Sequence, residues 1–221
     1  MGKTITGLVI CGGNIEDYDF YKSYIEEADF IIAVDGGASH VKAMGLKPHL
    51  ILGDFDSIGE EIYRHFSDMG VDIKKYPAEK DETDAELAVE YAMSIVGCRK
   101  IIIAGGIGTR FDHTLANIFL LKKMLGKGVE GWVVNEYNQI TLINESIKIR
   151  KKQGVKVSLL PLSDVVYGIT TAGLYYPLCN AKMEIGPTRG ISNEFECAKD
   201  TGSFAEVSIT AGLLLVILAR D

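Results

Sequence analysis

Phe30-Ile31-Ile32-Ala33-Val34-Asp35-Gly36-Gly37-Ala38 is a run of five apolar residues that stops at an acid and two glycines. A short apolar run, then glycine or aspartate, then an amphipathic stretch is how a parallel strand and its crossover helix read in sequence. The pattern recurs on both sides of this segment. Gly7 to Cys11 ends in Gly12-Gly13-Asn14, His49 to Leu52 ends in Gly53-Asp54-Phe55-Asp56-Ser57, and Lys100 to Ala104 ends in Gly105-Gly106. The first part of the chain is therefore expected to be an α/β domain with a mostly parallel open sheet.

Two helices stand out between and after these runs. Asp84 to Val96 places Leu87, Ala88, Tyr91, Ala92 and Ile95 on one stripe, with Thr83 as N-cap and Glu86 completing a capping box. Thr114 to Leu125 reads as a second helix, ended by Gly126 and Gly128. From about Trp132 the character changes. Thr141 to Ile143, Ile147 to Ile149, Val155 to Leu160, Val165 to Ile169, Glu206 to Thr210 and Leu213 to Leu218 are short strand-like runs without an intervening helical pattern. That predicts an all-β sandwich, with domains at 1–134 and 135–221.

Composition narrows the function classes. With 23 basic and 30 acidic residues the net charge is −7 and no basic block is present, so neither nucleic acid nor an anionic membrane is an expected partner. No stretch approaches the ~18 consecutive apolar residues of a membrane span. Cys11, Cys98, Cys179 and Cys197 form no C-x-x-C pair, which argues against a zinc site or disulfide framework and for a reducing, cytoplasmic setting.

The chemistry is expected where strands end, because ligands of open α/β sheets bind beyond the carboxyl ends of the strands. There the chain places glycines beside acids. Glycine admits close approach to a phosphate, whereas a carboxylate needs a cation between itself and phosphate. Asp54 and Asp56, two residues apart at a strand end, are candidate magnesium ligands; an Asp-rich turn capping the next helix is the alternative. Lys80-Asp81-Glu82-Thr83-Asp84 opens a helix, where acids also serve as dipole partners, but three acids and a lysine exceed what one cap requires. Gly105-Gly106-Ile107-Gly108-Thr109-Arg110-Phe111-Asp112-His113 offers an arginine fork and a nest of amides for an anion. It is not a dinucleotide fingerprint, since Phe111 holds the third glycine position, and no G-x-x-x-x-G-K-[ST] segment exists. His113 reads as a structural hydrogen-bonder. In the β half, Tyr175, Tyr176 and the Gly190-to-Glu194 segment could face a flat heterocycle or simply pack.

In this order, Asp35-Gly36-Gly37-Ala38, Gly53-Asp54-Phe55-Asp56-Ser57, Lys80-Asp81-x-Thr83-Asp84, Gly105-Gly106-x-Gly108-x-Arg110-Phe111-Asp112-His113 and Ser192-Asn193 resemble the thiamine pyrophosphokinase family over about Val9 to Glu194. The resemblance implies an ATP-binding α/β domain, a β-sandwich contributing the thiamine site, magnesium as cofactor, and a homodimer with active sites at the subunit interface. It implies Asp54, Asp56, Asp84 and Asp112 as catalytic acids, the first three as metal ligands. Asp35, Gly36, Gly37, Lys80, Asp81, Gly106 and Arg110 would bind ATP or its phosphates, and Ser192, Asn193 and Tyr175 would bind thiamine. Lys80 follows the bacterial branch where some relatives carry glutamine. A magnesium-dependent phosphohydrolase or another nucleotide transferase would use similar strand ends. A sensor would bind both ligands without forming AMP.

Overall fold

The computed structural model describes residues 3–55, 58–196 and 203–220, and the chain divides into two compact units, Met1–Glu136 and Tyr137–Asp221. The first unit carries strands β1 (Thr6–Ile10), β2 (Phe30–Val34), β3 (Leu50–Gly53), β4 (Asp72–Lys75), β5 (Lys100–Ala104) and β6 (Glu130–Val134). Between them lie helices α1 (Lys22–Glu27), α2 (Gly37–Ala43), α3 (Glu60–Asp68), α4 (Asp84–Tyr91) and α5 (Phe111–Gly126). All five pairings are parallel, in the order β6-β5-β1-β2-β3-β4. The runs that stop at glycine or aspartate are thus strands of one parallel sheet. Leu8, Val9, Ile10, Ile32, Leu52, Ile101, Ile102 and Ile103 have no exposed surface, as expected where helices cover both faces of a parallel sheet.

The chain runs outward from β1 through β2, β3 and β4, then returns to place β5 and β6 on the other side of β1. The strand order therefore reverses beside β1, which is where an open α/β sheet opens a crevice at its carboxyl edge.

Local details refine the sequence reading. Thr83 caps α4 by accepting Glu86 N–H at 3.2 Å. The reciprocal half of the capping box is not made: the Glu86 carboxylate instead takes Lys123 of α5 at 2.7 Å, and Glu90 binds the same ammonium. Beyond Tyr91 the helix loosens into a π turn over Ala92–Val96 that ends at Gly97 in the left-handed conformation. Helix α5 starts at Phe111, three residues before the expected Thr114. Trp132, taken above as the start of the β region, lies in β6 opposite Ile102 of β5.

The second unit holds β7 (Asn138–Ile143), β8 (Ser146–Arg150), β9 (Lys156–Pro161), β10 (Val165–Ala172), β11 (Ala181–Glu184), β12 (Asn193–Glu194), β13 (Phe204–Ser208) and β14 (Leu214–Ala219). They pair antiparallel as β12-β9-β14-β7 and β11-β10-β13-β8. The sandwich core joins both layers: Val157, Leu159, Leu214 and Val216 come from the first, and Val166, Ile169, Ala205 and Val207 from the second. β14 is central in its layer, between β7 and β9, and both its faces are buried, Leu214 and Val216 on one and Leu215 on the other, which explains why its sequence is a continuous apolar run rather than an alternating one. Among the described residues, no helix is long and apolar enough to cross a membrane.

Candidate active site

Three strand ends of the first unit meet at the reversal point, and almost nothing but main chain separates them. A methyl group added at Gly37 would lie 2.0 Å from the Ile10 carbonyl oxygen, one at Gly105 2.3 Å from that of Cys11, and one at Gly13 2.4 Å from that of Gly105. These glycines are required by backbone packing inside the protein, whether or not a phosphate comes near.

Above this floor is a cleft of about 540 Å³. Gly12, Gly13 and Asn14 line it after β1, Asp35 and Gly36 after β2, and Gly105, Gly106, Gly108, Thr109 and Arg110 after β5. Thr83, Asp84 and Ala85 close one wall from the start of α4, and His113, Thr114, Ala116 and Asn117 another from α5. Of the residues singled out in the sequence, the cleft gathers Asp35, Gly36, Asp84, Gly106 and Arg110. Gly37 is buried behind them. Asp54, Asp81 and Asp112 are not in its walls, and Asp56 lies outside the described residues.

Asp84 carries the most informative contact. Its Oδ1 is buried without a hydrogen-bond partner, although Lys80 Nζ lies 3.0 Å away. The ammonium is near enough to balance charge but is not aligned to donate, and it donates instead to the Pro77 carbonyl at 2.9 Å. A buried acceptor left unsatisfied costs about 1–3 kcal/mol, so the carboxylate is poised for a ligand. Asp35 sits at φ +49, the left-handed region that aspartate tolerates better than most residues. Its carboxylate accepts the Phe55 N–H at 3.3 Å, tying the end of β2 to the segment that carries Asp54.

The glycine-rich loop after β5 is held from α5. Asn117 donates to the Gly106 carbonyl at 2.8 Å, and Thr114 Oγ1 accepts the Gly108 N–H at 3.1 Å. The sequence reading passed over both residues. Their signal was available: polar side chains three apart on a helix face that otherwise buries Leu121 and Met124.

Arg110 grips Asp112 in a fork, Nη2 to Oδ2 at 2.6 Å and Nε to Oδ1 at 3.3 Å. The guanidinium holds the Asp112 carboxyl below the usual carboxylate range. Both side chains are about two-thirds exposed, where solvent screens the pair and its net contribution is small. Arg110 can exchange Asp112 for an incoming phosphate at small cost.

Cys11 lies at the cleft floor, where burial first and the Asp84 charge second push its thiol up to about 12. Cys179 is exposed. Since the thiolate is the nucleophile, iodoacetamide at pH 8 should label Cys179 within minutes and leave Cys11 unmodified, read by peptide mass spectrometry. Equal labelling of both would refute the burial of Cys11.

In the second unit, Asn193 and Glu194 meet the Tyr175–Tyr176 turn. Asn193 is buried; its Oδ1 accepts the Tyr176 N–H at 3.0 Å and its Nδ2 donates to the Tyr176 carbonyl at 2.8 Å. Tyr175 N–H donates to the Glu194 carbonyl at 2.8 Å. The two tyrosine rings stand edge to face at 4.8 Å and are largely exposed. Ser192 has φ +58 and fixes its N–H on Ser158 Oγ at 2.9 Å.

Sequence profiles described as "Thiamin pyrophosphokinase, catalytic domain" and "Thiamin pyrophosphokinase, vitamin B1 binding domain" match residues 21–133 and 144–214. The chain is 32% identical to a thiamine pyrophosphokinase of Bacillus subtilis (strain 168), over 99% of this chain and 100% of the relative. A crystal structure of thiamine pyrophosphokinase from Bacillus subtilis superimposes with a TM-score of 0.86 at 30% identity, covering 98% of this chain and 99% of that one. One from Geobacillus thermodenitrificans gives 0.81 at 30% identity, with 99% and 98% covered.

Proposed function

The chain belongs to the thiamine pyrophosphokinase family, and we propose that it transfers the diphosphate group of ATP to the hydroxyl of thiamine, releasing AMP. The observation that carries this reading is Asp84 Oδ1, buried and without a hydrogen-bond partner at the wall of a cleft floored by glycine main chain. A simple anion site has no use for such an oxygen. A site for phosphate bound with a cation does.

Magnesium is the cation we propose. Among the described residues no cluster of three acidic or imidazole side chains is assembled, but this ion needs only one or two protein carboxylates beside waters and phosphate. Asp84 faces the cleft and would hold it, with Asp54 and Asp56 as the ligands the family resemblance implies. When bound, it would neutralise charge on the transferring phosphates. The chain's own residues do the rest. Gly36, Gly37 and Gly106, with Asp35, shape the phosphate cradle, Arg110 turns from Asp112 to phosphate oxygens, and Lys80 and Asp81 flank the entrance to α4. Asp112, ionised beside Arg110, orients the thiamine hydroxyl. A loose transition state asks for little early proton removal, so positioning and electrostatics supply most of the acceleration. The 1–134 region serves ATP and 135–221 serves thiamine, through Ser192 and Tyr175, with Asn193 setting the tyrosine turn.

The test is product analysis after incubating the purified protein with ATP, magnesium and thiamine. AMP and thiamine diphosphate should form in equal amounts. ADP with thiamine monophosphate would make the chain a simple kinase, and inorganic phosphate alone a hydrolase. We further propose a cytoplasmic homodimer, supported by the free thiols of Cys11, Cys98 and Cys179 and by the family resemblance. Sedimentation equilibrium should return twice the 24.1 kDa chain mass; a single-chain mass would overturn the dimer.

A further inference from the structure

Gly12, Gly13 and Asn14 line the cleft at the start of a loop that runs on to Asp17, and its main chain is tied to the β5 end through the Gly13 N–H, which donates to the Gly105 carbonyl at 2.9 Å. Two glycines lead it, Gly12 and Asn14 are exposed, and every residue left free to choose its backbone conformation has an entropic cost when it is ordered. The order is supplied from elsewhere in the fold. At the far end of the loop Glu136, only 6% exposed and just beyond β6, accepts two successive main-chain amides on one oxygen: Glu16 N–H at 2.9 Å and Asp17 N–H at 3.0 Å. At the near end His40 of α2 places Nε2 2.8 Å from the Gly13 carbonyl oxygen and Nδ1 3.0 Å from the Tyr18 hydroxyl. A carbonyl only accepts, so Nε2 carries the proton, while the Tyr18 hydroxyl can pair with Nδ1 as donor or acceptor. One imidazole thus ties the Gly13 carbonyl to Tyr18.

The geometry points to Glu136 and His40 as positioning residues that hold this loop in its ligand-ready shape before nucleotide arrives. This rests on reading the cleft as the ATP site. Neither side chain is among the residues lining the cleft, so both act through the loop. A loop ordered in advance spares the ligand that cost, and the gain appears as affinity.

The test is steady-state kinetics of His40→Ala and Glu136→Ala, with His40→Gln and Glu136→Gln as conservative partners and Ala116→Phe as a plug in the cleft wall. Each alanine variant should raise KM for ATP about tenfold, with KM for thiamine and kcat changed by less than about threefold. Glutamine at 40 keeps a donor for Gly13 and at 136 keeps an acceptor for the amides, so both should restore KM for ATP to within about threefold of the parent. A merely structural role would lower melting temperature and kcat together, leave KM unmoved, and overturn the proposal. If Glu136→Ala does not fold, the His40 pair decides alone. An unchanged KM for ATP in Ala116→Phe would overturn the nucleotide reading of the cleft; a raised KM there, with unchanged values in both alanine variants, would overturn the clamp alone.

Discussion

Asp84→Asn should lower kcat/KM for thiamine diphosphate formation about a thousandfold, equivalent to about 4 kcal/mol of transition-state stabilisation, with the melting temperature within about 2 °C of the parent. Asp84 is the first residue of α4 and its Oδ1 is buried without a hydrogen-bond partner. Opposing stability effects meet on substitution. Losing the negative charge costs its interaction with the helix N-terminus, about 0.3–1 kcal/mol, and its pairing with Lys80 at 3.0 Å, while removing a charge from a partly buried position is favourable. Thr83 continues to cap the helix through Glu86 N–H. The asparagine keeps the shape and loses the charge, so activity and stability separate. Turnover within tenfold of the parent would remove Asp84 from the reaction, and a fall of more than about 5 °C would make it a helix-start element instead.

Gly37→Ala should be the most damaging single methyl group in the first unit. The new Cβ would stand 2.0 Å from the Ile10 carbonyl oxygen and 2.8 Å from its carbon, both main-chain atoms with no side-chain freedom to yield. Relief requires α2 to move off the end of β1. Overpacking of this kind costs about 3 kcal/mol, or roughly 6–12 °C in melting temperature for a chain of this size. Gly126→Ala is the matched control. It ends α5 with nothing within 4 Å of the added methyl, and alanine is the better helix former by about 1 kcal/mol, so its melting temperature should stay level or rise. Equal losses in the two variants would contradict the close approach at Gly37.

The parallel sheet and the cleft position were readable because both depend on local grammar. Phe30–Val34 and Lys100–Ala104 are strands with the expected bounds, and the glycines and acids that end them fall at the carboxyl edge, as sheet topology requires. What escaped the sequence depends on pairings across long separations. Glu136 reaches Glu16 across 120 positions, and Asn117 reaches back across a loop to Gly106; no spacing rule announces either. β6 was not among the strands read from the sequence, because a short strand containing Trp132 suits either kind of sheet, and only its parallel register with β5 assigns it. Asp112, which the family resemblance implies as a catalytic acid, stands at the first turn of α5 paired with Arg110 and largely exposed, a placement that sequence spacing does not reveal. The glycine pattern was read as room for phosphate; Gly13, Gly37 and Gly105 show that contact between protein backbones imposes the same residue choice.

That main-chain floor limits how this pocket can be altered. Specificity is ordinarily retuned by swapping side chains beneath a ligand, but at Gly13, Gly37 and Gly105 there is none to swap, and adding one would push against a strand end. On the proposed reading of the cleft as the nucleotide site, its preference would be redesigned from the rim, at positions such as Asn14, Thr109 and Ala116, while Gly13, Gly37 and Gly105 stay fixed by backbone contact.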